Sequence, residues 1–257
     1  MLSSLTALIP TLSNTTGLKL VVGWLHERGY RTIVIDNAPT SAKKKFCQHH
    51  KATYLPQPQN LGFAAAINLG ATHVTTPWML ILNDDIEFLK TDTLEKLIKI
   101  ATHNNWSAIS PVLQKPSGDI ENLGYTVLPQ GKIKLNYDPQ LKDLDGITAA
   151  CLLIKTDVFK SLNGFDERFF AYLEDVDLFI RLKKAGHNFG IAPEITVIHN
   201  HQTTSSKMGN FKAKMDLRNW WYVILKNWDQ KTWLKYGPQI LLERLRNLSG
   251  YLKATFK

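Results

Sequence analysis

Strand and helix patterns alternate through the first hundred residues, and this alternation restricts the possible folds more than any other feature of the chain. Short apolar or β-branched runs predict four strands, at 5–9, 32–35, 52–55 and 78–82. Helical spacing or composition predicts helices between and after them, at 18–28, 41–50, 62–73 and 91–103. Strands that alternate with helices favour a parallel sheet covered on both faces. The sequence therefore predicts an α/β fold.

The pattern changes after Trp106. Gly, Pro and Asp residues interrupt the stretch 110–144, where short alternating runs predict hairpins or irregular strands, at 125–128 and 132–135. Beyond this stretch we predict a strand at 147–154, a short helix at 157–162 and a last strand at 195–198. The tail from residue 212 onward is predicted to be mostly helical, with an interruption near Gly237-Pro238.

The bulk composition is that of an ordinary globular protein. Of the 257 residues, 44% are apolar and 21% are charged, which suits one α/β domain with a large core. No stretch approaches the roughly 18 apolar residues of a membrane-spanning helix, and the N-terminus lacks the basic region of a signal peptide. The two cysteines, Cys47 and Cys151, are far apart, and Cys151 lies in an apolar run. We therefore expect no disulfide framework, no zinc site and a reducing cytoplasm.

The positive charge is concentrated in the C-terminal tail. The chain has a net charge of +9, and residues 207–257 contain eleven basic and three acidic side chains, a net charge of +8. The same tail contains four of the seven tryptophans, Trp220, Trp221, Trp228 and Trp233. Basic side chains and tryptophan rings favour the headgroup region of a membrane, so the tail is a candidate membrane-binding element. We expect the aromatics nearest the domain to be buried and the region after Trp233 to be more exposed.

Three carboxylates lie at the start of a predicted amphipathic helix. Glu174, Asp175 and Asp177 follow an aromatic run that ends at Tyr172. Acids at a helix start often act only as caps that face the positive end of the helix dipole. Aromatic surroundings would instead keep a carboxylate partly desolvated and raise its basicity, which a general base needs. Asp177 is expected to form a structural ion pair with Arg181, one helical turn further on.

A second acidic group follows the predicted strand at 78–82. Asn83, Asp84 and Asp85 come directly after it, at the edge of the sheet where an open α/β fold binds its ligands. Two adjacent acids cannot both be buried unpaired, so they need a basic partner or a cation. A divalent metal would provide one and would in turn bridge the phosphates of a nucleotide. The alternative interpretation is that Asp84 and Asp85 cap the next turn.

Several segments resemble the motifs of family 2 glycosyltransferases, which have the GT-A fold, and they follow one another along the chain in the order found in that family. The triplet at 83–85 is similar to their Asp-x-Asp motif, and GFDERFFAYLEDVDLFIRLKKAG at 164–186 is similar to their acceptor-side motif. Four other segments match, ALIPTL at 7–12, IVIDN at 33–37, NLGFAAAINLG at 60–70 and AACLLI at 149–154. The resemblance implies a Rossmann-like nucleotide-binding sheet with a mixed-sheet acceptor half and a C-terminal helical extension. It implies a GT-A domain at 1–206 and a basic aromatic extension at 207–257.

The resemblance also implies roles at the reaction centre. Asp175 matches the catalytic base, with Glu174 beside it. Asp85 matches the metal ligand. His199 matches the histidine that can complete the metal shell, and His201 competes for that role. Mg²⁺ or Mn²⁺ is the implied cofactor.

On the donor side, Asp36 matches the acid that hydrogen-bonds a pyrimidine base, and Asp84 matches a residue near the ribose. The motifs imply further substrate-binding residues, Thr11, Asn60, Gly62, Asn68 and Glu174. At Gly62 the missing side chain would let backbone approach a ligand at a helix N-terminus. The chain departs from the family motifs at three positions, Asn83, Ala149 and Asn163.

The implied activity is transfer of a sugar, with inversion, from a nucleotide diphosphate sugar of UDP or dTDP type to an acceptor hydroxyl. Because the chain lacks the spanning segments of processive synthases, we favour a single-addition enzyme of cell-surface polysaccharide or lipid-linked glycan assembly, similar to rhamnosyltransferases. Such an enzyme would be cytoplasmic, and its basic tail would bring it to the inner face of the cell membrane.

Two other functional classes remain open. A nucleotidyltransferase acting on sugar phosphates would share the nucleotide-binding half and a metal aspartate. Residues 10–17, however, do not supply the Gly-rich phosphate loop that such enzymes usually need. A noncatalytic basic module that binds membrane or nucleic acid would rest on the tail alone. The net positive charge of the tail lies outside the glycosyltransferase-like motifs. We therefore expect no nucleic-acid partner.

Overall fold

The structure is a computed structural model, and it describes residues 4–140, 143–200 and 210–255. Within these residues the strands are β1 (Leu5–Thr11), β2 (Arg31–Asp36), β3 (Thr53–Pro56), β4 (Trp78–Leu82), β5 (Ile86–Phe88), β6 (Ala108–Gln114), β7 (Ile120–Asn122), β8 (Tyr125–Leu128), β9 (Lys132–Leu135), β10 (Cys151–Lys155) and β11 (Phe189–His199). The α-helices are α1 (Thr15–Glu27), α2 (Ser41–His49), α3 (Gly62–Thr72), α4 (Thr93–His103), α5 (Thr156–Ser161), α6 (Glu174–Lys184), α7 (Phe211–Asn227) and α8 (Gln230–Thr255). A short 3-10 helix, Glu167–Phe169, precedes α6.

Nine of the described strands form one sheet, in the order β3-β2-β1-β4-β10-β6-β11-β5, with β7 beside β6. Its first half is parallel, and Leu8 of β1 lies between Ile33 of β2 and Ile81 of β4. Strand β10 runs antiparallel to both β4 and β6, so the second half of the sheet is mixed. Strands β8 and β9 form a separate hairpin. The predicted α/β fold, with a parallel first half and a mixed second half, is confirmed.

Alternation along β1 distributes its side chains to the two faces of the sheet. Leu5 and Ile9 belong to an apolar cluster with residues of α1 and α4, whereas Leu8 belongs to a second cluster with residues of α3, α5 and α6. Full burial of one such side chain stabilises the fold by about 1.5–3 kcal/mol. Helices therefore cover both faces, and the C-terminal ends of β1, β2 and β4 are left together at one edge.

Most predicted elements are present, and the differences have local causes. Strand β5 has only three residues, which is too few for an alternating pattern to be recognised. Strand β10 begins at Cys151 rather than at residue 147, because Ala149 and Ala150 form a turn directly before it; Ile147 and Ala149 are nevertheless buried. Strand β11 extends from Phe189, well before the predicted start at residue 195.

The predicted helix interruption near Gly237-Pro238 is wrong. Helix α8 runs through Pro238 as one helix of 26 residues. Ile240 and Arg244 follow the proline and are both buried. Because tertiary packing supplies most of the stability of a helix in a protein, this burial outweighs the hydrogen bond that Pro238 cannot make.

The tail helices share an apolar cluster with the rest of the fold. Trp220, Val223 and Ile224 of α7 and Ile240 of α8 pack with residues of other elements, Tyr125, Phe169, Leu173 and Val176. The predicted domain boundary at 206/207 lies outside the described residues and stays a prediction. Across the described ranges, no helix is long and apolar enough to cross a bilayer.

Candidate active site

A pocket of about 190 Å³ lies at the C-terminal edge of the parallel strands. Thr11 at the end of β1 lines it together with Asp84 and Asp85, which follow β4. Gly62 at the start of α3 lines it as well, and the remaining side includes Phe170, Ala171, Tyr172 and Phe211. In an open α/β sheet this edge is where ligands bind. The structure thus brings residues from four separate motifs to one pocket.

Asp84 is held by residues from the first strand and the first helix. The Thr11 hydroxyl donates to Oδ2 of Asp84 at 2.6 Å, and Asn14 Nδ2 donates to the Asp84 carbonyl at 3.1 Å. Asn14 also caps α1, since its Oδ1 accepts the Gly17 amide at 3.0 Å. Burial raises the pKa of Asp84 to about 6; the Thr11 hydrogen bond opposes this rise, and the charge of Asp85 adds to it. Asp84 is therefore oriented by two residues that are 70 and 73 positions away in the sequence.

Asp85 is buried beside His199. Its Oδ1 lies 3.2 Å from Nε2 of His199, and neither oxygen of Asp85 accepts a hydrogen bond from the described residues. The other ring nitrogen of His199, Nδ1, lies 2.8 Å from Oε2 of Glu121. Burial lowers the pKa of His199, but the two carboxylates outweigh this effect and raise the pKa to about 9. Glu121 orients the imidazole so that Nε2 faces Asp85.

A divalent cation fits this arrangement. Among the described residues the positive partner of Asp85 is the His199 imidazole, whose pKa the two carboxylates raise. A bound metal would replace the proton on that imidazole, since neutral imidazole and carboxylate oxygens are both metal ligands. Among the residues described, no three His, Cys, Asp or Glu side chains are placed to hold a metal by themselves. A cation at Asp85 would therefore need oxygen ligands from a bound substrate, such as a diphosphate. His201, the competing histidine, lies outside the described residues.

Glu174 and Asp175 are the first two residues of α6 and follow the pocket-lining Tyr172 almost directly. Burial raises the pKa of both carboxyl groups, and the charge of Asp175 raises the pKa of Glu174 further. The Val176 amide donates to Oδ1 of Asp175 at 2.8 Å, whereas Oε2 of Glu174 has no hydrogen-bond partner among the described residues. Hydrogen bonds to a carboxylate favour its charged form. The arrangement therefore favours a protonated Glu174 beside an ionised Asp175.

Asp36 ends β2 but is fully buried and does not line the pocket. The Lys43 ammonium group donates to Oδ1 of Asp36 at 2.6 Å, and the Tyr54 hydroxyl donates to Oδ2 at 2.7 Å. Lys43 also donates to the Leu12 carbonyl at 2.8 Å. Both oxygens of Asp36 are thus already hydrogen-bonded, and a contact with a nucleotide base would have to share or displace these partners. The base contact of Asp36 stays a prediction.

Gly62 has a φ of +80°, and its structural role differs from the predicted approach to a ligand. A Cβ atom at this position would lie 2.4 Å from the carbonyl oxygen of Phe170. That carbonyl accepts the amides of Phe63 at 2.6 Å and Ala64 at 3.3 Å, and so occupies the N-terminus of α3. The Gly62 amide donates to Oδ1 of Asn60 at 2.9 Å. Gly62 and Asn60 line the pocket, but the glycine is required by the close approach of Phe170.

Asn68 does not line the pocket but makes structural contacts, and its predicted substrate contact stays a prediction. Its Nδ2 donates to the Phe165 carbonyl at 2.8 Å and to Oε1 of Glu167 at 3.0 Å, and its Oδ1 accepts the Phe165 amide at 2.9 Å. Because each of its hydrogen-bonding groups is engaged, Asn68 holds the segment that leads towards α6. The predicted ion pair between Asp177 and Arg181 is present, at 2.8 Å.

The segment 170–173, here called the entry loop, has an unfavourable backbone conformation. Phe170, Tyr172 and Leu173 have φ values of 60°, 67° and 66°, although none of them is glycine. Each such residue costs about 1–3 kcal/mol and persists only where surrounding contacts hold it. Asn219 of α7 provides these contacts, because its Nδ2 lies 2.7–3.0 Å from the carbonyl oxygens of Phe169, Ala171 and Tyr172. The tail therefore holds one wall of the pocket.

Sequence reasoning missed the residues that support the site from a distance. Glu121 lies in the irregular stretch after β6, where no pattern indicates its contact with His199. Lys43 resembles the other lysines of a polar helix but is buried against Asp36. Asn219 is an ordinary polar residue of a predicted helix, yet its side chain is completely buried. Only long-range contacts distinguish these three residues from their neighbours.

Residues 16–162, more than half of the chain, match the sequence model of glycosyl transferase family 2. The chain belongs to this family. A low-salt glycan biosynthesis hexosyltransferase, Agl10 of Haloferax volcanii, is 25% identical to this family 2 protein over an alignment of 201 positions, gaps included, that covers 73% of this chain and 64% of the relative. An N-acetylglucosaminyl-diphospho-decaprenol L-rhamnosyltransferase of Mycobacterium tuberculosis is 24% identical over an alignment of 210 positions, gaps included, that covers 68% of this chain and 67% of the relative. The chain thus spans slightly less than two thirds of the haloarchaeal relative.

Solved structures show the same fold at low sequence identity. The mannosyltransferase PcManGT from Pyrobaculum calidifontis, in complex with GDP-Man and Mn²⁺, matches 98% of this chain with a TM-score of 0.65 at 14% identity, and 74% of its own chain is covered. Residues 1–349 of TarS from S. aureus match 95% of this chain with a TM-score of 0.62 at 11% identity, and 71% of that chain is covered. The recognised family and the GT-A fold are confirmed.

Proposed function

We propose that this family 2 protein transfers a sugar from a nucleotide diphosphate sugar to an acceptor hydroxyl, with inversion at the anomeric carbon and with a divalent metal. The observation that carries the proposal is the connection of the pocket to the acid pair through the entry loop, although Glu174 and Asp175 do not line the pocket themselves. Asp84 and Asp85 line it, and the entry loop leads from its wall directly into the acid pair of α6. Sugar transfer needs a donor site and a general base that are connected in this way.

Asp175 is proposed to act as the general base. It would accept the proton of the acceptor hydroxyl as the hydroxyl oxygen attacks the anomeric carbon and the bond to the diphosphate breaks. The raised pKa of Asp175 suits this role, because a base works best when its pKa approaches the working pH. A protonated Glu174 beside it would not compete for the proton. One base and no covalent intermediate produce inversion.

Asp85 is proposed to hold a Mg²⁺ or Mn²⁺ ion, with His199 as a second ligand. When bound, the ion would neutralise the charge that develops on the departing diphosphate. Thr11, Asn60 and Asp84 would contact the nucleotide and its ribose. We further propose that the base is a pyrimidine, contacted by Asp36, and that the donor is of the UDP or dTDP type.

The acceptor is proposed to be a growing glycan or a lipid-linked glycan of cell-surface polysaccharide assembly. The names of the hexosyltransferase and the decaprenol-linked rhamnosyltransferase relatives support this class of acceptor. Such acceptors are presented at the membrane, so we propose that the protein works in the cytoplasm at the inner face of the cell membrane. Other glycan classes remain alternatives to be separated by an acceptor screen.

Binding of nucleotides and metal tests the donor half. In calorimetry with UDP, dTDP and GDP, we expect tightening by Mn²⁺ in the parent protein and no such tightening in Asp85→Ala. Glu194→Gln is the matched control, because Glu194 is an exposed acid on β11 outside the pocket. Mn²⁺-dependent UDP or dTDP binding that persists in a folded Asp85→Ala protein would contradict the metal assignment.

Transfer assays test the acceptor half. Asp175→Asn keeps the shape of the side chain and removes its basicity, so donor binding should persist while transfer falls by roughly 10²–10⁴. Glu174→Gln should retain far more activity, because the amide resembles the protonated acid. Near-normal transfer by Asp175→Asn together with an inactive Glu174→Gln would assign the base to Glu174. The anomeric configuration of the product, read by NMR, tests inversion.

A further inference from the structure

Helix α8 packs against the fold with only one of its faces. Ile240, Glu243 and Arg244 are its buried residues. The Arg244 guanidinium donates to the Gly131 carbonyl and lies 5.2 Å from the ring centre of Trp220. These contacts fix the orientation of the helix on α7 and on the turn between β8 and β9. They also determine which residues point away from the protein.

A second face of α8, about a third of a turn from the buried one, is a row of exposed leucines, here called the leucine face. Its members are Leu234, Leu241, Leu245, Leu248 and Leu252, and they are between 39% and 85% exposed. Successive members are seven, four, three and four positions apart in the sequence. Leu242, beside them, is 50% exposed. This spacing places them on one side of a helix. A continuous apolar row of this length on a soluble surface normally marks a binding site.

The charges on α8 indicate what covers the leucine face. Lys231, Lys235, Arg246 and Lys253 are exposed along the helix. The helix has a single acidic residue, Glu243, which is buried and lies 3.1 Å from Arg246 and 3.6 Å from Lys132. The described length of α8 therefore exposes leucines and cations but no acidic side chain. An apolar face bordered by Lys and Arg is typical of helices that lie in the interface of an anionic bilayer.

A second copy of the chain is the competing occupant, because the alternating steps of three and four residues also suit a two-stranded coiled coil. In such a pair, however, cationic flanks would border the seam with no exposed acids on the partner helix to oppose them. A bilayer with anionic headgroups complements both the leucines and the charges. We propose that the leucine face of α8 docks the protein onto an anionic lipid surface, with the helix axis in the membrane plane.

This docking uses α8 and none of the pocket residues, so it is independent of the proposed sugar transfer. It also refines the expectation for the tail. Trp220 is buried in the fold and unavailable to lipid, and Trp221, Trp228 and Trp233 are partly buried. The leucines of α8 are more exposed and are therefore the proposed inserting side chains. Removing α8 as a whole would expose the cluster around Trp220, so substitutions on the leucine face are the cleaner test.

The experiment is sedimentation of the full chain with vesicles of phosphatidylglycerol and phosphatidylcholine, at low and high salt. We expect binding that weakens with salt and is much lower on phosphatidylcholine alone. Leu241→Gln/Leu245→Gln/Leu248→Gln should reduce binding by at least about tenfold, since three apolar side chains would no longer insert. The matched control changes three exposed leucines elsewhere, Leu20→Gln/Leu89→Gln/Leu225→Gln, and should bind like the parent.

Two further measurements test the role of the lysines and the competing possibility of self-association. Lys235→Gln/Lys253→Gln should weaken binding to the anionic vesicles about fivefold per lysine while leaving UDP affinity unchanged. Equal vesicle binding by the leucine triple variant and its control would overturn the proposal. So would failure of the parent protein to bind at low salt. A concentration-dependent dimer in ultracentrifugation, abolished by the leucine triple variant, would assign the face to a second copy instead.

Discussion

Replacing Asn219 by alanine should lower the free energy of unfolding by about 2 kcal/mol and impair sugar transfer, although Asn219 does not line the pocket. The side chain is completely buried, and its Nδ2 faces three carbonyl oxygens around the entry loop. An amide NH₂ has two hydrogens, so one of them is shared between two carbonyls. At about 1–1.5 kcal/mol for each buried hydrogen bond, the loss is about 2–3 kcal/mol.

Alanine has the higher helix propensity, which offsets about 0.5 kcal/mol of this loss. The entry loop would then relax from the left-handed region at Phe170, Tyr172 and Leu173. Because Glu174 and Asp175 follow it directly, we expect the rate at saturating donor to fall together with stability. Asn219→Asp keeps the size but places an oxygen against the carbonyls, and should destabilise the protein at least as much.

Urea unfolding followed by circular dichroism measures the stability term, and transfer at saturating donor measures the functional one. Leu225→Ala, an exposed position on the same helix, is the control and should change stability by less than about 0.5 kcal/mol. An Asn219→Ala protein with unchanged stability and unchanged transfer rate would refute the idea that α7 holds the entry loop.

Three further perturbations have outcomes that follow from the contacts. Gly62→Ala should lower the free energy of unfolding by about 2 kcal/mol, since the new Cβ meets the Phe170 carbonyl. Gly23→Ala is the control, because its Cβ would meet open space, and thermal melts compare the two variants. Lys43→Met should lower the free energy of unfolding by about 3–5 kcal/mol, because the charge of Asp36 would stay buried without its partner. Lys44→Met, at an exposed neighbouring position, should leave the free energy of unfolding almost unchanged. The folded-state pKa of Glu174 lies above its ordinary value of 4.5, so the native protein keeps a proton that the unfolded chain releases. Stability should therefore fall as the pH rises above 4.5 through that raised pKa, and Glu174→Gln should flatten the slope measured by urea unfolding across that range.

Local pattern was sufficient for the first half of the fold. Apolar runs and helical spacing located β1 to β4 and α1 to α4 to within a few residues, because these elements bury their own periodic faces against one sheet. The motifs also identified Thr11, Asp84 and Asp85, which the structure places in one pocket, and Asp175, which follows the pocket-lining Tyr172 by three residues. Short strands such as β5 and β7 have only three residues each, too few for a periodic signal.

What the sequence determined by itself is the order of its elements, the family, and the chemical groups at the ends of its strands. Tertiary structure alone decided how those groups are held. Asn219 clamps carbonyls about 50 residues away, Glu121 orients His199 across 78 residues, and Ile240 anchors a helix that continues through a proline. The hydrogen bonds join side chains that any exposed helix or loop could carry. Their partners become close only when the chain is folded, so no local periodicity records them.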